Sequence, residues 1–301
     1  MHYKRYFLAV PIILSVLSLA ALLVWGLKPG IDLVGGSFLE VAYTATSTTP
    51  TSDQVKDAAA ASGIADARVQ PTSNNGFIIR ARDLSNDEHQ ALLKSLSTLG
   101  SANEVQFNSV GPTIGAELLQ KAWIAIALVI ISIIIFIAFA FRGVSKPVES
   151  WKYGVVAIIT LVHDILIPTG LFAILGQTHN AEVDSLFIVA LLTILGISIN
   201  DTIVVFDRIR ENLRKNHDKS KHEDFDAVVS KSIKQTLTRS INTSVAVIIV
   251  LAALYVLGPA STHDFALTLI VGMVAGTYSS IFLAAPLLVV WNNFSSRSKK
   301  K

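Results

Sequence analysis

Apolar residues in this chain are gathered into blocks. Long apolar runs occupy residues 6–27, 122–141, 153–175, 186–206, 243–257 and 265–291, with polar sequence between them. A helix crossing the hydrocarbon core of a bilayer needs roughly 20 apolar residues. Five runs reach or approach that length, and the short fifth one, 243–257, leaves its own ends open. The pattern predicts six transmembrane helices. Small residues at Ser18-Leu19-Ala20 resemble a signal-peptide cleavage site, but the apolar stretch continues beyond them farther than an h-region does, which predicts an uncleaved helix.

The segment 28–117 follows other periods. Residues 38–43 alternate like a strand. Thr51 and Gln54 have capping-box spacing and open an alanine-rich helix that stops at Gly63. Residues 67–70 and 76–80 are short strand candidates around a turn at 73–76. Ser85 and Glu88 form a second capping box, opening a helix that ends near Gly100, and 105–110 is a final strand. The order β-α-β-β-α-β is that of the ferredoxin-like sandwich. The expected fold class is a polytopic α-helical membrane protein with one small α+β domain between the first two spans. The expected division is 1–27 (N-terminus and first span), 28–117 (α+β domain) and 118–301 (spans two to six with a basic loop at 207–242).

Composition agrees with the blocks: 51% of the 301 residues are hydrophobic and only 16% charged. That is too apolar for an ordinary soluble domain. The placement of lysine and arginine sets the orientation. Lys4 and Arg5 precede the first span, and Arg142, Lys146 and Lys152 separate the second from the third. Nine basic residues from Arg208 to Arg239 separate the fourth from the fifth, and Arg297 with Lys299 to Lys301 follow the last. The loops 176–185 and 258–264 contain no Lys or Arg. Both termini are therefore expected in the cytoplasm and 28–117 outside it. In the basic loop, Phe225, Val229, Ile233 and Leu237 recur every four residues among Lys231, Lys234 and Arg239. This predicts an amphipathic helix that either lies on the inner membrane face or packs against the bundle.

The chain has no cysteine, which excludes disulfides, thiol catalysis and cysteine metal sites. No metal or cofactor is expected. No Gly-x-x-x-x-Gly-Lys-Ser/Thr occurs, so ATP is not its direct energy source. Charges inside a span are costly and usually mark a site. Asp164, beside His163, lies midway along the third run, and Pro168 removes the donor that its carbonyl would have had. Asp201, beside Asn200, lies about five residues before the end of the fourth run, roughly 8 Å in depth. Arg239 precedes the fifth span from the same side and can snorkel toward it. Asp201 and Arg239 are therefore expected to form an ion pair that protonation of Asp201 opens. In the last span Gly272, Gly276 and Ser280 have the four-residue spacing that allows close helix approach, either within the chain or to a second subunit.

Several segments resemble the SecF proteins of the SecD/SecF family, in the resistance-nodulation-division superfamily. They are GIDLVGG at 30–36, VGPTIG at 110–115, HDIL at 163–166, ALLTILGISINDTIVVFDRIR at 190–210, TRSINTS at 238–244 and GTYSSIF at 276–282. The resemblance covers essentially the whole chain. It implies pairing with SecD, whose six similar spans complete the bundle, and use of the proton gradient to assist preprotein export through SecYEG. SecA and YajC are further candidate partners, beside membrane lipids and the preprotein itself; nucleic acid is not expected. In the family the aspartate of the Asn-Asp-Thr block and the arginine before span five are implicated in proton conduction. They correspond to Asp201 and Arg239, with Asn200 and Asp164 as further candidates. Asp32, Gly35, Gly36, His163, Thr202 and Gly276 stand at other motif positions. Many relatives carry Tyr where this chain has Ile197, and Thr where it has Ser240.

Two other functions compete. A proton-coupled exporter of small molecules or lipids in the same superfamily would usually carry two external domains and twelve spans. An intramembrane aspartyl protease would need Asp164 and Asp201 to share a proton at one depth. Such enzymes carry Gly-x-Gly-Asp, where this chain has Ser198-Ile199-Asn200-Asp201. A transport role rather than an enzymatic one is expected.

Overall fold

A computed structural model describes residues 4–44, 49–72, 75–140, 149–218 and 223–298. The elements are α1 (Lys4–Trp25), α2 (Ile31–Val34), β1 (Gly36–Tyr43), α3 (Ser52–Ala61), β2 (Arg68–Thr72) and β3 (Gly76–Ala81). Next come α4 (Asn86–Ser97), β4 (Ala102–Val110), α5 (Pro112–Ala140), α6 (Ser150–Thr178), α7 (Ser185–Asp218) and α8 (Phe225–Leu257). The chain closes with α9 (His263–Ser279), a π-helical turn at Ser280–Ala284, and α10 (Ala285–Ser298). Part of the turn at 73–76, and Arg142, Lys146, Lys219, Lys221 and Lys299 to Lys301, lie outside the described residues.

Contacts divide the chain into two compact units. One, made of 29–124 with 183–185, contains the four-stranded antiparallel sheet in the order β2-β3-β1-β4. This is the ferredoxin-like arrangement. Both helices start where the sequence provides a reciprocal cap. Thr51 and Gln54, and likewise Ser85 and Glu88, exchange side-chain and backbone hydrogen bonds. The core lies between the sheet and the helices. Leu39, Val41 and Tyr43 of β1 alternate inward and meet Val55, Ala59, Leu92 and Leu96.

The 30–36 motif and the start of α5 interlock within this unit. Gly35 has φ +84°, and a Cβ there would come within 2.6 Å of the Pro112 Cα. A Cβ on Gly115 would in turn stand 2.5 Å from the Gly35 nitrogen. Gly36 runs against the Ala81 carbonyl, 2.7 Å from where a Cβ would sit. Asp32 accepts a hydrogen bond from the Ser185 N–H (3.2 Å), and the Gly30 N–H donates to the Val183 carbonyl (2.8 Å). The motif is thus more than a tight turn: its carboxylate caps the first residue of α7, where backbone donors are otherwise orphaned.

The other unit comprises 1–28, 125–182 and 186–301. Six helices among the described residues are long and apolar enough to cross a membrane. The last of them is built from α9, the π turn and α10. The side chains of α5 point almost entirely outward, as expected of a helix facing lipid or a partner. Inside the unit, α6 packs against α1 and α9, and α8 against α9. Tyr153, Leu161, Leu195, Phe206, Ile209 and Leu288 are among the buried side chains of its core. Trp151 and Trp291 meet edge to face, 5.2 Å apart, where aromatic side chains suit a membrane interface.

Two helices are longer than the apolar runs suggested. α7 continues past residue 206 to Asp218, and α8 begins at Phe225, well before residue 243. The basic amphipathic segment is therefore the first half of one continuous helix. It packs on α7, with Asn212 donating to Ser232 (2.9 Å) and Gln235 (2.8 Å) and Arg208 donating to the same Gln235 (2.8 Å). Of the two alternatives, packing against the bundle is the one observed.

Candidate functional site

Asp201 lies partly buried where α7, α8 and the last span meet. It does not meet Arg239. The Arg239 side chain is exposed, and among the described residues it has no ion pair. The reason is azimuth. Arg239 has the expected position along α8, but neighbouring helical residues diverge by about 100° around the axis, and it is Ser240 that faces inward. Ser240 Oγ donates to Asp201 Oδ1 (2.5 Å), and Ser280 Oγ donates to Asp201 Oδ2. Each carboxylate oxygen is thus held by a hydroxyl from a different helix.

Ser280 opens the π turn, a rare widening that concentrates at functional sites. Its hydroxyl also lies 3.1 Å from the Thr277 carbonyl, so it has a second acceptor in reach. Beside Asp201 is a cleft lined by Ile194, Ile197 and Ser198 of α7, Ser244 of α8, and Gly272, Met273, Gly276 and Thr277 of α9. Ser244 and Thr277 share a hydrogen bond across it (2.5 Å). Asp201 is the one charged side chain in this lining.

Behind the cleft, Asp164 is completely buried. His163 Nδ1 lies 2.8 Å from Asp164 Oδ1, and Ser198 Oγ donates to Asp164 Oδ2. The small-residue stripe of the last span is internal. Gly272 lies flush against Ile194, and a Cβ on Gly276 would come within 3.2 Å of Ser198 Cβ and 3.7 Å of Asp164 Oδ2. Close approach of this kind is what small residues permit. Thr202, one turn beyond Ser198, is buried with its hydroxyl unpartnered among the described residues. Asn200 points the other way and is exposed.

The structure therefore brings together Asp201, Asp164, His163 and Gly276, and leaves Asn200 and Arg239 outside the cluster. Sequence reasoning missed Ser198, Ser240 and Ser244. Their signal was present: Ser232, Thr236, Ser240 and Ser244 recur every four residues and all are buried. A small polar stripe of this spacing marks a helix interface.

The model of the family described as "Protein export membrane protein SecD/SecF, C-terminal" matches residues 89–294, more than half of the chain. The chain belongs to the SecD/SecF family. The protein translocase subunit SecF of Thermobaculum terrenum is 41% identical over 97% of this chain and 92% of its own length. That of Anaerolinea thermophila is 38% identical over 96% and 93%. The crystal structure of SecDF from Thermus thermophilus, described as a translocon-associated membrane protein, matches with a TM-score of 0.83 at 31% identity. This SecD/SecF-family chain aligns over 97% of its own length but spans only 38% of that SecDF chain. The site therefore belongs to a multi-pass SecD/SecF-family membrane protein whose relatives are named as subunits of a protein translocase.

Proposed function

We propose that this chain is the SecF-like part of a Sec export complex. Together with SecD it uses the proton gradient to assist preprotein translocation through SecYEG, and Asp201 is the group that binds the proton. Both termini lie in the cytoplasm and the α+β unit outside, as the lysine and arginine distribution requires.

One observation carries the proton assignment. The two oxygens of Asp201 are held by hydroxyls from two different elements, Ser240 on α8 and Ser280 in the π turn, with no Lys, Arg or His among the described residues that line the cleft. Around an ionised Asp201 both hydroxyls donate, because a carboxylate can only accept. A proton added to Asp201 makes one oxygen a donor. The facing hydroxyl must then accept, and Ser280 can do so by turning its own hydrogen to the Thr277 carbonyl. Protonation thus rewrites the bonds joining α7 to the last span. Each proton crossing the membrane releases about 2.3 kcal/mol per 100 mV, enough to bias a two-state arrangement of similar free-energy gap.

The test is Asp201→Asn, which keeps the shape and cannot ionise. In vesicles holding the assembled complex, preprotein translocation is measured with and without an imposed proton gradient. The variant is expected to insert and assemble but to lose stimulation by the gradient. A response equal to the parent's makes Asp201 a structural group and overturns the proposal.

A further inference from the structure

We propose that His163 and Asp164 form a second proton-binding site, set behind Asp201 and opened to its cleft through Ser198. This rests on the reading of Asp201 as the first such site.

The six apolar runs contain very few groups able to exchange a proton near neutral pH. Across residues 6–27, 122–141, 153–175, 186–206, 243–257 and 265–291 there is no Asp, Glu, Lys, Arg or His other than His163, Asp164 and Asp201. The fold gathers these three at one junction. Asp164 and His163 sit on α6 and Asp201 on α7. Ser198, three residues before Asp201 on α7, lines the Asp201 cleft and donates to Asp164.

Charge bookkeeping then distinguishes the dyad from an inert ion pair. A carboxylate buried without a counter-charge is costly, by several kcal/mol in a low-dielectric interior. Arg239, the cation expected to pair with Asp201, is exposed and faces away from the cluster. Titratable groups facing the dyad are few on every element packed around it. α7 presents Asp201 itself, α9 presents Gly276 and carries His263 and Asp264 only in its first turn, α1 carries none between residues 6 and 27, the π turn carries none, and α10 carries only Arg297, near its end. The compensating charge must be a proton. With one proton on His163 Nδ1 the pair is net negative; with a second it is net neutral, whether that proton is drawn on the imidazole or on the carboxyl. The dyad therefore stores one exchangeable proton.

A second feature points to the same use. His163 is buried, and its Nε2 has no hydrogen-bond partner among the described residues. An inert buried histidine satisfies both nitrogens. Here one nitrogen is engaged by Asp164 and the other is left to gain or lose a hydrogen. Ser198 supplies the route from the cleft. Its oxygen accepts a proton from the cleft side while its own hydrogen passes to Asp164 Oδ2. The proton comes from an acid in the cleft, protonated Asp201 or a water: the donor's O–H and the Ser198 O–H break, a new Ser198 O–H and an Asp164 O–H form, and one proton enters the dyad. Gly276 closes the third side by packing directly on Ser198, which keeps the dyad from solvent.

The experiment compares Asp164→Asn, Ser198→Ala, Ser198→Thr and Asp201→Asn in the full chain within its assembled complex. Gradient-stimulated translocation in vesicles is the first readout, and proton uptake by the purified complex on acidification is the second. Asp164→Asn is expected to lose most of the stimulation by the gradient and to take up one proton fewer. Ser198→Ala is expected to lose stimulation and keep the uptake, and Ser198→Thr to restore the stimulation by returning a hydroxyl. Parental stimulation and uptake in Asp164→Asn, alongside an uncoupled Asp201→Asn, overturn the second site alone. Coupling that persists in Asp201→Asn overturns the first site instead. Should Asp164→Asn fail to accumulate in the membrane, the Ser198 pair decides: a Ser198→Ala protein that responds to the gradient as the parent does overturns the proposal.

Discussion

At Asp201 the selective element is the hydroxyl, because a serine can donate to a carboxylate or accept from a carboxylic acid without leaving its place. A cation offers only the first option. That distinction separates the observed site from the ion pair with Arg239 that depth and charge suggested. Outside the spans, a residue-scale effect of the opposite kind is testable at Glu88. A hydrogen bond from Arg82, followed by those from the Ser85 backbone and hydroxyl, holds its carboxyl down at about 2, against an ordinary 4.5. A depressed acid contributes stability above its unfolded-state value and loses it as pH falls through the folded one. The start of α4 is therefore expected to loosen progressively between about pH 4.5 and 2. Amide protection at Asn86–Ser97 in the full chain, taken relative to intrinsic exchange at each pH, should fall over that window, and Glu88→Gln should flatten the dependence. An unchanged profile in Glu88→Gln would mean that the carboxylate does not hold the cap.

At the scale of elements, legibility follows how local the determining physics is. Capping boxes were readable at Thr51 and Ser85 because donor and acceptor are three residues apart. Spans were readable because their length and apolarity answer to the bilayer alone. The direction in which a residue faces was not, since azimuth is set by neighbouring helices: Arg239 and Asn200 lie on α8 and α7 and are exposed. The π turn at Ser280 has no sequence signature, and the continuity of α8 was hidden by the charges of its first half. One close approach makes a quantitative test. Gly170 of α6 lies directly against Ser18 of α1, where a Cβ would overlap the Ser18 backbone as well as its side chain. Gly170→Ala is expected to destabilise the helix pair by about 1–3 kcal/mol, the usual range for overpacking. The thermal midpoint in detergent should fall, and Ser18→Gly on the same chain should leave the overlap with the Ser18 backbone, so only partial recovery is expected. No fall in Gly170→Ala would show that α1 can move away freely.

For the whole molecule, the outward faces of the spans show what the rest of the complex must cover. Most are aliphatic and suit lipid, such as Leu128, Ile131 and Ile135 of α5. α7 is different. Its exposed face carries Gly196, where a Cβ would meet nothing within 4 Å, and Asn200 one turn later. A bare glycine and an amide in mid-span are poor lipid contacts but good helix contacts, because the glycine admits a close backbone and the amide finds a partner. The chain spans only 38% of the SecDF structure it resembles, so most of that longer protein lies outside the aligned part. The SecD-like partner is therefore expected to pack on α7 along Gly196 and Asn200, on the side away from Gly272 and Gly276. Since the chain has no cysteine, single cysteines report contacts without background. Gly196→Cys should cross-link to the partner in native membranes, and Ile135→Cys on α5 should not. Gly196→Leu should reduce copurification of the partner in mild detergent, whereas Gly276→Leu should act first on the stability of the chain itself. Cross-linking at Ile135 with none at Gly196 would place the partner on the α5 face and leave the α7 stripe to lipid.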